Sequence, residues 1–230
     1  MEYLEFERIL STKRMQRYKD ATCGDTRKAM ALYRYNLRLS QEMFTIVSCF
    51  EVALRNAIDS LLVPTLGRDW LKNSVQDDGM FSNGRMNETR KIIEKAYNRL
   101  NRQGIYSHSK LIAEMEFGVW KYMYSSLQYR ATGQCLLRAF PNKPRSSVGA
   151  QYNNTYIFNE LDKVNSLRNR IAHHEPICFR LHASEIDTSY IVNEYQKIQT
   201  LFSWMGIDSR SMLYGLDHVQ SVCSKINALK

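Results

Sequence analysis

Apolar residues recur at intervals of three and four along most of the chain, the spacing that keeps one face of a helix in a core. The clearest early stripe is Phe44, Val47, Phe50, Leu54, Ile58 and Leu61, which predicts a long helix starting after Ser40 and ending near Pro64. Ser11 and Thr26 have the side chains of N-caps and predict two earlier helices. Beyond the DDG and SNG turns of residues 77–84, a basic helix is expected from about Asn87 to Leu100. A longer one, from about Ser109 to Arg130, would carry Phe117, Trp120 and Tyr124. Gly118 in this stretch is expected to permit close helix approach, with Trp120 filling the core. Residues 141–149 read as an exposed loop. Ile157, Leu161, Val164 and Ile171 then mark a helix that must stop at or before Glu175, because Pro176 disfavours helical geometry in its predecessor. Ile191, Tyr195, Ile198, Phe202 and Met205 continue the pattern to Gly206, a C-cap residue, and a last helix is expected from Ser209. No period of repeat length and no low-complexity tract interrupts this series. The predicted class is all-α.

Composition adds limits. A chain of 230 residues, 44% hydrophobic and 24% charged, can bury a substantial core and is expected to form one domain spanning residues 1–230. MEYLEFERIL sets acids among its apolar residues and no long uninterrupted apolar run follows, which predicts a cytoplasmic protein that does not enter a membrane. Cys23, Cys49, Cys135, Cys178 and Cys223 are odd in number, scattered and never paired as CxxC. They are read as reduced thiols, mostly core filler, and not as a disulfide framework or a zinc site.

The charge of +9 favours polyanionic partners, and its distribution says more than its size. Residues 11–40 carry Lys13, Arg14, Arg17, Lys19, Arg27, Lys28, Arg34 and Arg38 against Asp20 and Asp25. Between Glu116 and Glu160 there is no acid, while Lys121, Arg130, Arg138, Lys143 and Arg145 are interleaved with Tyr122, Tyr124, Tyr129 and Phe140. Basic and aromatic residues mixed in this way line grooves for nucleic acid. A solvated basic face over partly buried tyrosines would give the same pattern.

Candidate chemistry concentrates in SLRNRIAHHEP, residues 166–176. Arg168 follows Val164 by four residues and precedes Ile171 by three, so it stands at the edge of the apolar stripe. A cation so placed needs an anion or several acceptors nearby, and a phosphate would serve. Asn169 and His173 are four apart and project from one side of the helix, giving the imidazole an amide neighbour. Histidine exchanges protons near neutral pH and arginine holds two phosphate oxygens in its planar fork; together these are what metal-free phosphodiester transfer requires. The competing reading is a surface helix end, where Arg170, His173 and His174 are favourable charges at the negative end of the dipole. Adjacent histidines point about 100° apart, and neither HExxH spacing nor a carboxylate-rich partner motif accompanies them, which disfavours a metal site. No glycine-rich phosphate loop and no GxSxG elbow is present, and no cofactor is expected.

Arg168-Asn169-x3-His173 resembles the Rx4-6H motif of HEPN nucleases, with the polar residue that commonly follows the arginine. SCFEVALRNAID at 48–59, EFGVW at 116–120 and LRNRIAHHEPI at 167–177 resemble, in order and spacing, the Abi-like proteins of the abortive-infection D and F type. LYRYNLRLS and LGRDWL fit as well, so the resemblance covers about residues 8–180, with helices of 184–228 expected to pack on that part. It implies a HEPN-type helical bundle with additional helices, metal-independent endoribonuclease activity with 2′,3′-cyclic phosphate products, and a homodimer whose two motifs share one cleft. It also implies a phage-defence or toxin-antitoxin-like role, in some cases with a small noncoding RNA. By the same resemblance His173 would be the general acid/base, Arg168 would bind the scissile phosphate, and Asn169 would position the imidazole or a phosphate oxygen. His174 is the alternate histidine. Glu51 and Arg55, one turn apart, and the following Asn56 either support the cleft or fix two core helices. Lys13, Arg14, Arg17, Arg34, Arg38, Lys121, Arg130, Arg138, Lys143 and Arg145 are the candidate RNA contacts. The alternative function is a HEPN protein that binds RNA without cutting it, as scaffold or regulator.

Overall fold

The computed structural model describes residues 1–230 and is all-α, with twelve α-helices, two short 3-10 turns and one isolated β-bridge between Phe179 and Ile186. No helix is long and apolar enough to cross a membrane. The chain divides into two compact units. Unit 1 comprises Met1–Ser48, Ser166–Thr200 and Asp208–Lys230; unit 2 comprises Cys49–Asn165 and Leu201–Ile207.

Unit 1 begins with α1 (Tyr3–Leu10) and α2 (Thr12–Ala21), the latter capped by the Ser11 hydroxyl accepting from the Arg14 N–H at 3.3 Å. Helix α3 (Thr26–Leu66) is a single helix of 41 residues, so the expected start at Ser40 does not exist. Its N-terminal cap is the Asp25 carboxylate, which accepts from the Lys28 N–H at 3.0 Å. The apolar stripe begins earlier than the sequence reading placed it, at Ala29, Leu32 and Leu39, and no Gly or Pro before Pro64 interrupts it. Pro64 lies in the last turn, before Gly67 at φ +85° ends the helix. The unit 1 core joins Met15, Tyr18, Leu32, Met43, Leu167, Phe179 and Ile198, with Tyr18 packed edge-on against Tyr33 and Phe179.

In unit 2, α4 (Trp70–Asn73) precedes a turn in which Gly79 cannot be replaced, since a Cβ there would stand 2.4 Å from the Ser74 carbonyl oxygen. Helix α5 (Asn87–Arg102) matches the expected basic helix. The expected helix of 109–130 is three: α6 (His108–Glu114), α7 (Phe117–Tyr122) and α8 (Ser126–Ala131). Met115, Glu116 and Ser125 adopt extended backbone and break the ladder, which the apolar periodicity across the breaks concealed. Trp120 is fully buried as expected, but Gly118 is not a point of close approach: a Cβ there would meet nothing within 4 Å, and the residue borders an open cleft of about 650 Å³.

Helix α9 (Asn154–Ala172) stops three residues short of Glu175, the limit set by Pro176. Helix α10 (Ser189–Trp204) ends before Gly206, at φ +77°. The expected last helix is divided into α11 (Ser209–Met212), capped by Asp208, and α12 (Val219–Asn227). All five cysteines are free; Cys178 and Cys223 are core residues, whereas Cys23 is exposed in the turn after α2, at φ +52°. Cys49 and Cys135 are half-buried, so of the expected core thiols two lie fully in the core and Cys23 serves a turn instead.

Candidate active site

The end of α9 in unit 1 holds the predicted chemistry. The buried stripe of this helix runs Val164, Leu167, Ile171, so Leu167 takes the core position and Arg168 stands beside it, half-buried. The one hydrogen bond of the Arg168 guanidinium goes from Nη1 to Asn169 Oδ1 at 3.4 Å, a long contact, and no carboxylate pairs with it. Arg168 is thus a cation held at the edge of a core with most of its donors uncommitted. Arg170 differs. Its Nε donates to Glu175 at 3.3 Å, its Nη2 donates to the Pro176 carbonyl at 2.9 Å, and its guanidinium lies 5.1 Å from the Tyr190 ring centre. Arg170 is committed to tying the turn after the helix.

That turn has the hydrogen bonds of a Schellman motif: the Glu175 N–H donates to the Arg170 carbonyl at 2.9 Å and the His174 N–H to the Ile171 carbonyl at 3.0 Å. His174 occupies its left-handed seat, at φ +57°, where glycine is usual. His173 closes the last helical turn, its N–H donating to the Asn169 carbonyl at 2.9 Å, and both histidines are exposed. Asn169 is half-buried between Arg168 and the turn that leads to His173.

Long-range contacts within unit 1 hold this turn. Arg14 Nη1 donates to the His174 carbonyl at 3.1 Å, taking up one of the acceptors a helix end leaves open. Arg17 donates through Nε and Nη2 to the Ala183 carbonyl and through Nη2 to the Arg180 carbonyl, and stacks 4.5 Å from the Phe179 ring centre. The buried amide of Asn36 is the member that sequence reasoning missed. Its Oδ1 accepts from the Ile177 N–H at 2.8 Å and the Cys178 N–H at 3.2 Å, fixing the chain as it leaves Pro176. The signal for it was available: Asn36 sits on the buried stripe Leu32, Asn36, Leu39, Met43, where an apolar residue is expected.

The other predicted residues are dispersed. In unit 1, Lys13 is exposed, Arg34 lies 5.2 Å from the Phe6 ring centre, and Arg38 pairs with the buried Glu42 at 2.7 Å. In unit 2, Glu51 and Arg55 are half-buried, Asn56 is exposed, and Arg55 Nε is buried with no hydrogen-bond partner. Lys121 is 7% exposed, pairs with Asp162 at 2.7 Å and lies 5.3 Å from the Phe158 ring centre, so its ammonium is engaged inside the unit. Tyr124, Tyr129 and Phe140, expected as aromatics of a basic groove, are core residues. Arg130, Arg138 and Arg145 are exposed and Lys143 is half-buried, none of them in an ion pair. No three His, Cys, Asp or Glu side chains cluster as metal ligands.

Neither curated proteins nor solved structures give a match to this chain. A family model described as Abi-like protein matches residues 3–178, from the first helix to the segment that Asn36 holds. The match spans the motif helix and its turn, fits a role in abortive infection, and makes this chain a member of the Abi-like protein family.

Proposed function

We propose that the protein is a metal-independent endoribonuclease of the HEPN type, acting as a toxin in an abortive-infection or toxin-antitoxin-like system. The observation that carries this reading is Arg168: a half-buried guanidinium with no carboxylate partner, beside Asn169 and one helical turn from an exposed histidine. An uncommitted cation at a core edge is costly unless an anion visits it, and Arg170 next to it is already engaged.

In the mechanism, the Arg168 guanidinium holds the two non-bridging oxygens of a phosphodiester, neutralising the charge that grows on them. The neutral imidazole of His173 takes the proton of the ribose 2′-hydroxyl as its oxygen attacks phosphorus. The bond from phosphorus to the 5′-oxygen breaks, leaving a 2′,3′-cyclic phosphate and a 5′-hydroxyl that receives a proton from an imidazolium. The Asn169 amide orients the imidazole or a phosphate oxygen. In a homodimer the second copy's His173 supplies that imidazolium, and the two helix ends share one cleft. His173 is preferred to His174 because it closes the hydrogen-bonded turn from Asn169, whereas His174 fills a backbone position that glycine also satisfies.

The test is cleavage of single-stranded RNA in the presence of a chelator, with end-group analysis. The expected result is cyclic phosphate ends, loss of cleavage by at least about a hundredfold in Arg168→Ala and His173→Ala, and retained cleavage in His174→Gly. Undiminished cleavage by the Arg168→Ala, His173→Ala double variant refutes the proposal. Salt-sensitive RNA binding without cleavage by the unmodified protein supports the scaffold reading instead.

A further inference from the structure

Unit 2 carries an aromatic cluster made of residues that the proposed mechanism does not use. Tyr152 in the loop before α9, Tyr156 in its first turn and Trp204 at the end of α10 are each half-exposed. Tyr152 lies 4.9 Å from Tyr156 and 5.6 Å from Trp204 between ring centres, and Tyr156 lies 6.0 Å from Trp204. Hydrogen bonds to the backbone around them hold them in place. The Asn142 N–H donates to the Trp204 carbonyl at 2.9 Å, Asn142 Nδ2 donates to the Ser203 carbonyl at 3.3 Å, and the Tyr152 N–H donates to Ser146 Oγ at 3.0 Å.

The loop anchored by these bonds is basic. Lys143 follows Asn142 and Arg145 precedes Ser146, and neither is in an ion pair. The segment from Phe117 to Asn159 contains no acid. The acid that bears on Tyr156 is Glu160, whose side chain is 13% exposed and already paired with Lys163 at 2.5 Å. Three adjoining aromatic rings that keep part of their surface in water form a contiguous patch of the kind that marks a contact surface. The uncompensated positive charge beside them selects a polyanion, and rings select one whose subunits have flat apolar faces.

We propose that Tyr152, Tyr156 and Trp204 form a stacking platform for the bases of single-stranded RNA, with Lys143 and Arg145 contacting its phosphates. The proposal rests on the reading of the protein as RNA-directed, and adds to it a binding site built from other residues than those that would cut. Base stacking tolerates any sequence, so the platform would hold a strand without choosing it.

Trp204 provides the readout, because the other two tryptophans, Trp70 and Trp120, are fully buried. Full-length His173→Ala protein is titrated with a short oligoadenylate while tryptophan emission and the anisotropy of a label on the RNA are followed. Quenching of emission in step with binding is expected. Trp204→Leu should abolish the quench and weaken binding roughly five- to a hundredfold. Lys143→Gln combined with Arg145→Gln should lower the slope of log affinity against log salt by about 1.4, at about 0.7 per phosphate contact. A sugar-phosphate oligomer lacking bases tests the platform without any substitution, and should bind weakly and leave emission unchanged. RNA binding without quenching, or equal affinity for the base-free oligomer, overturns the platform. Cleavage by the unmodified protein is scored separately: cleavage without quenching removes the platform alone, and quenching without cleavage removes the nuclease reading alone.

Discussion

Replacing Asn36 by leucine perturbs one side chain and leaves two buried donors without a partner. Asn36 is 3% exposed, and its single amide oxygen serves the N–H groups of Ile177 and Cys178, which are themselves fully buried. Leucine fits the stripe on α3 by polarity and approximates the volume, so little is lost in packing. What remains is the desolvation of two orphaned N–H groups, each costing about 1–3 kcal/mol. Because they share one acceptor their costs are not additive, and about 2–4 kcal/mol together is the reasoned figure. For a chain of this length that corresponds to a fall in melting temperature of roughly 4–16 °C, a large part of a typical stability of about 5–15 kcal/mol. The assay is thermal unfolding, with hydrogen exchange read at residues 176–179. Asn36→Leu should melt earlier, and the Ile177 and Cys178 amides should lose protection first. A melting temperature within about 1 °C of the parent, or unchanged exchange at those two amides, would show that these bonds do not hold the chain leaving the motif.

Two further outcomes follow from the same unit. Arg170→Ala removes a bond to the Pro176 carbonyl and the stacking on Tyr190, and should cost about 1–3 kcal/mol in urea unfolding, whereas Arg168→Ala, which removes a cation with one long contact, should cost no more than about 0.5 kcal/mol; equal losses would contradict the division of labour between the two arginines. Burial pushes the Cys178 thiol up to about 12, so the fold favours its neutral form. The stability this represents is present in full below the unfolded thiol's range, about 8.5, and is lost as pH climbs from there toward about 12. Urea midpoints measured between pH 7 and pH 10 should therefore fall more steeply for the parent than for Cys178→Ala, and identical slopes would count against it.

Much of the helical order was legible because its signals are local. The end of α9 before Pro176, the ends of α3 near Pro64 and α10 before Gly206, and the span of α5 each depend on a proline, a glycine or a periodic stripe within a few residues. Periodicity misled where helices break without such markers. Met115 and Ser125 interrupt the stretch of 108–131 while its apolar spacing runs on, and α3 continues through Ser40, a residue that only marks a helix start when the chain before it is not helical.

By itself the sequence determined that this chain is helical and basic, and that Arg168, Asn169 and His173 share a helix end. It also determined membership of the Abi-like family. Tertiary structure decided which cations are committed: Arg170 and Lys121 are engaged, Arg17 straps a loop, Arg14 caps the motif turn, and Arg168 is left with a single long contact. It also decided which aromatics stay in water, burying Tyr124, Tyr129 and Phe140 and leaving Tyr152, Tyr156 and Trp204 half-exposed. The physical reason is distance along the chain. A helix end is set by neighbours within one turn, but the partners of Arg14 and Asn36 lie 160 and 141 residues away, and no local pattern specifies which side chain a fold will bring to them.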